Sequence, residues 1–184
     1  MKLLLLSVFL CTSAFSVYAA DSAKVSISQM EDRSLSGMER EWVSLAQAMP
    51  ADKYKFAPTD GTFSGVRTFE QQVGHVGTVL YVVSSGVLEQ KPPVDLGPGE
   101  NGPATLKTKD DYVKFLKDAF AYAHKAMQSL TNDNFTDMVP SPFGKGKMPR
   151  GTLAEMTVSH SFDHYGQAVV YARMNNVVPP ASRK

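Results

Sequence analysis

The sequence predicts an all-α protein, a single four-helix bundle preceded by a cleavable leader. Two observations carry the bundle: four stretches with apolar residues at three-four spacing, and ahead of each a Ser or Thr followed three residues later by Glu, Gln or Asp. A third supports it: no segment shows the sustained alternation of a half-buried strand.

The leader comes first. Lys2 precedes an apolar run from Leu3 to Val17, and the run closes on Val17-Tyr18-Ala19. This is the pattern of a secretory signal peptide over residues 1–19, cut after Ala19 because Tyr18 is a poor residue three places before a cut. The run is short for a spanning helix and has no basic flank on its far side. Leu10 before Cys11 is too large for a lipoprotein cleavage site, so no lipid anchor is expected.

The mature domain, residues 20–184, has no cysteine, which suits an oxidising compartment and excludes thiol, disulfide and Cys-ligated metal chemistry. Loss of Lys2 leaves 18 basic against 18 acidic residues. That balance gives no footprint for nucleic acid or an anionic membrane. The expected location is the periplasm or the medium, with no membrane attachment after signal cleavage.

The first helix opens on Ser28 with Glu31, carries Leu35, Met38, Trp42, Leu45 and Met49, and stops at Pro50. The second opens on Thr68 with Gln71, carries Phe69, Val73, Val76, Leu80 and Val83, and ends near Gly86. The third opens on Thr108 with Asp111 and carries Val113, Leu116, Phe120, Ala123, Met127 and Leu130. The fourth opens on Thr152 with Glu155; its stripe runs Leu153, Met156, His160, His164, Gln167, Tyr171, and it ends at Asn175-Asn176.

Each stripe is one face wide, so the helices bury those faces against one another in an antiparallel-type bundle. The connections are long. Two Pro/Gly-rich stretches, around Lys91 to Pro103 and Ser141 to Gly151, are expected to cover one end of it.

His160 and His164 are one turn apart on the same helix face, a spacing at which two imidazoles can chelate one ion. Their place in the stripe points inward, and burying two imidazoles costs free energy unless they find partners. A metal is one such partner; a hydrogen-bonded core pair is the other. His75, next to Val76 in the second helix, would complete three imidazole ligands if the second and fourth helices are neighbours there, leaving coordination positions for water or substrate. His124, four residues after Phe120, reads as a core or boundary histidine. Asp163 and Gln167 are candidates for orienting the imidazoles, and Tyr171 for a hydrogen bond to a metal-bound group. HExxH, helical Glu-x-x-His and Walker patterns are all absent.

The chain also resembles the DinB-like superfamily of four-helix metal-binding proteins, related in fold to bacillithiol- and mycothiol-dependent transferases. The resemblance runs from Met30 to Ser182. It is carried by Met49-Pro50 and Phe56-Ala57-Pro58, by Thr68-Phe69-Glu70-Gln71-Gln72-Val73-Gly74-His75-Val76, and by His160-Ser161-Phe162-Asp163-His164-Tyr165-Gly166-Gln167, Tyr171-Ala172-Arg173 and Val178-Pro179-Pro180.

The resemblance implies one divalent ion, nickel or zinc, held by His75, His160 and His164, all on the family's motif positions. It implies a metal-dependent transferase or hydrolase acting on a small molecule, without naming the reaction. Export sets this chain apart from the cytoplasmic thiol transferases, so a non-catalytic metal- or small-ligand-binding module stays open beside the enzyme. Monomer and homodimer stay open too.

Overall fold

A computed structural model describes residues 24–183. The signal peptide expected over residues 1–19, and with it Cys11, lies outside them. The order is α1 (Ile27–Ala48), a 3-10 turn at Ala51–Lys53, α2 (Phe69–Leu88), α3 (Lys109–Gln128), β1 (Met138–Pro140), β2 (Lys147–Pro149), α4 (Arg150–Met174) and a 3-10 turn at Pro180–Ser182. No helix among the described residues is long and apolar enough to cross a membrane.

Two of the four helix starts are the expected ones. Thr68 and Thr108 each accept from the backbone N–H three residues on, while Gln71 and Asp111 accept from the cap N–H in return. The other two differ. The first box is Ser26 with Gln29, not Ser28 with Glu31, so Ser28 lies inside the first turn. Helix α4 begins at Arg150, ahead of Thr152, with Pro149 at the cap position and no side-chain cap. Its first N–H groups instead reach loop carbonyls: Arg150 donates to Asp137 and Gly151 to Phe135, each at 2.8 Å. A short antiparallel hairpin, β1 with β2, delivers the chain to that point; it falls partly in the stretch read from sequence as loop.

Each helix packs on two others around the square α1–α3–α2–α4, with α1 diagonal to α2 and α3 diagonal to α4. Directions follow from side-chain partners. Helix α2 is antiparallel to α4, since Gln72 meets Gln167 while Gly86 lies against Leu153. It is parallel to α3, since Gly74 faces Tyr112 and Ser85 bonds Tyr122. The bundle is therefore up-down-down-up rather than alternating, and the α2–α3 connection has to return the length of the bundle. That requirement explains its twenty residues, 89–108.

The core is built from Leu35, Met38, Trp42, Leu45, Phe69, Val73, Val76, Leu80, Leu116, Phe120, Met127 and Leu153, among others, all essentially inaccessible to solvent. Trp42 ties α1 to α4 by donating from Nε1 to the Ser161 carbonyl at 2.8 Å. Lys109 at the start of α3 donates to the Gln47 and Met49 carbonyls at 2.7 and 2.8 Å, placing a cation on the C-terminus of α1.

The inward face of α4 differs from the expected stripe. Leu153, His164 and Tyr171 are buried, but Met156 and His160 are half-buried and Gln167 is exposed. Small residues, Ala154, Thr157, Ser161 and Ala168, form the innermost line instead. This turns the His160 edge sideways, toward α2.

Candidate metal centre

His75 stands in the second turn of α2, and His160 and His164 stand in the middle of α4. Because α2 and α4 are antiparallel neighbours, the three rings meet. Their centroids are 5.0 Å apart for His75 and His160, 4.6 Å for His75 and His164, and 4.4 Å for His160 and His164. One nitrogen from each lies within 4.8 Å of the others, and His75 Nε2 is 3.2 Å from His160 Nε2.

The tautomers follow from the outer nitrogens. His75 Nδ1 donates to the Glu100 carbonyl at 2.9 Å, and His164 Nδ1 donates to Gln72 Oε1 at 2.7 Å. With the proton on Nδ1, each Nε2 is a bare lone pair aimed at the shared space. Two such lone pairs beside a third imidazole repel unless a proton or cation lies between them. The separation of 3.2 Å suits one ion, because metal–nitrogen bonds of ~2.0–2.1 Å set neighbouring donors roughly 3–3.4 Å apart. The donor set therefore fits a borderline divalent ion such as zinc or nickel, and imidazole alone does not choose between them.

The electrostatics agree. Burial lowers the His160 pKa to about 4, with repulsion from His75 adding to it. Burial lowers that of His164 to about 4 as well, helped by His160 and His75. His75 is lowered by burial against the opposing pull of the Glu100 carbonyl. All three are neutral at pH 7, the form in which imidazole ligates.

The supports are only partly those expected. Gln72, given no role of its own in the sequence analysis, is the direct partner of His164, and it in turn donates to Gln167 Oε1 at 3.0 Å. Gln167 thus acts one residue removed. Asp163 does not orient an imidazole: its carboxylate is largely exposed and stands 4.0 Å from His164 Nε2, on the side of the convergent nitrogens. Tyr171 is turned away, its hydroxyl donating to the Arg67 carbonyl at 3.1 Å.

Arg67 matters in a way the sequence did not signal. Its guanidinium donates to Asn101 Oδ1 at 2.8 Å and Glu100 Oε2 at 3.0 Å, pinning the crossover whose Glu100 carbonyl holds His75. One residue on, Gly74 admits that segment: a Cβ there would lie 2.1 Å from the Asn101 carbonyl oxygen. His124 is elsewhere, between α1 and α3, with Nδ1 2.7 Å from Asp32 and Nε2 3.2 Å from Glu39. It is the boundary histidine the sequence suggests.

A cavity of about 390 Å³ opens beside His75 and His160. Both stretches expected to cover the bundle border it, Leu96 to Glu100 from the crossover and Phe143 from the hairpin. Its one carboxylate is Glu100, paired with Arg67.

Solved structures share the fold. A DinB-like protein from Bacillus cereus superposes with a TM-score of 0.63 at 15% identity, covering 82% of this chain and 93% of its own. A DinB-like protein from Bacillus subtilis gives 0.63 at 16%, covering 80% and 92%. A conserved protein from Enterococcus faecalis gives 0.65 at 12%, covering 82% and 98%. No curated protein matches the sequence. The family model for the DinB superfamily matches residues 34–168, a span that includes all three convergent histidines, and the chain belongs to that superfamily.

Proposed function

We propose that this chain is an exported DinB-superfamily protein that holds one divalent ion, nickel or zinc, on His75, His160 and His164 and uses it on a small molecule entering through the adjoining cavity. One observation carries the reading: one ring nitrogen from each of the three histidines converges, and fixed acceptors behind the rings of His75 and His164 hold the proton on Nδ1. A bound ion would supply Lewis acidity, lowering the pKa of an ionisable group on the ligand. The chain's own part is to keep the imidazoles neutral, hold the rings at one spacing through Gln72 and Glu100, and wall the site with Leu96, Phe143 and Met156. This would serve thiol transfer or metal-assisted hydrolysis.

The second reading is a non-catalytic module that captures a metal or small ligand. It is favoured by the cavity's lack of an unpaired acid or base, since Glu100 is engaged by Arg67 and the histidines face the ion. Export rests on the leader pattern of residues 1–19. The neutral mature charge argues against a nucleic-acid partner.

Metal quantification on untagged protein from its native compartment tests the shared premise. The expectation is about one ion per chain, lost in His160→Ala, with an N-terminus at Ala20. Metal-free wild type would sink the first reading and reduce the second to small-ligand capture. Turnover across a panel of thiols, electrophiles and esters under metal-replete conditions separates the first from the second.

A further inference from the structure

The face of α2 that carries His75 continues past the metal centre. Thr78, Val79 and Val82 follow it along the first cavity, and Val82, Ser85 and Gly86 line a second of about 530 Å³. Val82 borders both, and so does the hairpin tip, Phe143 on the first and Pro142 on the second. The two cavities adjoin at Val82, two halves of a groove along this face of α2. From His75 to Gly86 the helix rises about 16 Å.

The α2 wall itself offers little polarity. Both hydroxyls along α2 are turned to partners inside the protein: Thr78 Oγ1 donates to the Gly74 carbonyl at 2.9 Å and Ser85 Oγ to the Tyr122 hydroxyl at 3.3 Å. What remains between the histidines and Val82 is aliphatic and aromatic, Val79, Val82, Leu96, Phe143 and Met156, and beyond Val82 the prolines Pro92, Pro140 and Pro142 are joined by Gln90 and Ser141. Charged side chains occur only at its ends. Glu100, at the metal end, is paired with Arg67; Glu89, at the far end, is paired with Arg150 at 2.6 Å and stands near Lys91.

A sugar, a peptide or a hydrophilic thiol laid along the stretch from Val79 to Val82 would lose water without regaining side-chain hydrogen bonds there, at a cost for every polar group. A hydrocarbon chain loses nothing and gains burial. We infer that the ligand of this site is a linear amphiphile, with a metal-ligating head at the three histidines and an unbranched alkyl or acyl chain running along α2 past Val82 toward Gly86. This rests on the metal-site reading for the head alone; the chain-binding groove stands on the walls.

Calorimetry with a hydroxamate series tests it on the full mature protein: acetyl, butyryl, hexanoyl, octanoyl and decanoyl hydroxamates, each titrated into zinc-loaded and metal-free protein. The expected result is a gain of about fourfold in affinity per buried methylene, continuing to the octanoyl compound, with the same increment at weaker absolute affinity in metal-free protein. Hexanoyl hydroxamate should bind far tighter than gluconohydroxamate, which has the same length but is hydroxylated along it. Val82→Trp should end the increment at a shorter chain without changing metal content.

A flat series, a gluconohydroxamate as tight as the hexanoyl compound, or a Val82→Trp protein with an unaltered series would overturn the inference. Should Val82→Trp fail to fold, the wild-type series decides. Should zinc fail to bind, the metal reading falls, while the increment in metal-free protein still decides the groove.

Discussion

His164 Nδ1 donates to Gln72 Oε1 at 2.7 Å across the α2–α4 interface, and through that bond a buried amide three residues before His75 sets the tautomer of an imidazole on another helix. Gln72 is 2% exposed, so neither group has water as an alternative partner. Replacing it by Leu strands a buried N–H, at about 1–3 kcal/mol of stability, and frees the ring to turn. Metal affinity should drop roughly tenfold to a hundredfold, the usual effect of losing a ligand's hydrogen-bond partner. Gln72→Glu keeps an acceptor and should hold affinity near wild type. Competition against a chromogenic chelator reads both; unchanged affinity in Gln72→Leu would show that the bond does not position His164.

Two glycines on α2 make opposite predictions. A Cβ at Gly74 would meet the Asn101 carbonyl at 2.1 Å, and backbone cannot yield as a side chain does. Gly74→Ala should push the crossover off α2, break the Glu100–His75 bond and lower metal affinity at least about tenfold. At Gly77 the obstacle is the Phe115 ring at 2.7 Å, which can swing. There overpacking of about 1–3 kcal/mol is offset by about 1 kcal/mol of helix propensity. Gly77→Ala should leave metal affinity alone, so equal losses in the two variants would remove Glu100 from the site.

What the sequence could show depended on distance along the chain. Thr68–Gln71 and Thr108–Asp111 are local devices, and the helices begin where those pairs sit. Ser26–Gln29 is as good a box as Ser28–Glu31, and the chain offers both within six residues, so the pattern alone could not choose. At α4 the first N–H groups are satisfied by Asp137 and Phe135 from a preceding turn, which no box can announce. The His triad was legible because its HxxxH half is local and the resemblance supplied His75. Gln72 was within reach as a polar residue between Phe69 and Val76 on an apolar face; the Glu100 carbonyl was not, since the crossover's path is set by the parallel run of α2 and α3.

The depressed histidines give metal-free protein a pH signature. His160 and His164 have folded-state pKa values of about 4 against an ordinary 6.5. Between these limits the unfolded chain binds more protons than the folded one, so stability rises with pH across the window. The contribution is fully present above pH 6.5 and is lost as pH falls toward about 4. Melting temperatures measured with chelator across that window should fall in wild type and fall less in the His160→Ala, His164→Ala double variant. Parallel curves would mean that the slope comes from the carboxylates.

Metal binding should itself appear as stability, since an ion held by the native state has no preformed site in the unfolded chain. At a free concentration a hundred times its dissociation constant the gain is about 2.7 kcal/mol, which for a chain of this size raises the melting temperature by roughly 5–10 °C. His75→Ala should abolish most of that rise. His124→Ala is the control, because its ring bridges Asp32 and Glu39 between α1 and α3, on the opposite flank of the bundle. Its loss should lower the baseline by about 1 kcal/mol while leaving the metal-dependent increment intact. If His124→Ala lost the increment as His75→Ala does, the stabilisation would belong to general ion binding at the histidines and not to the α2–α4 centre.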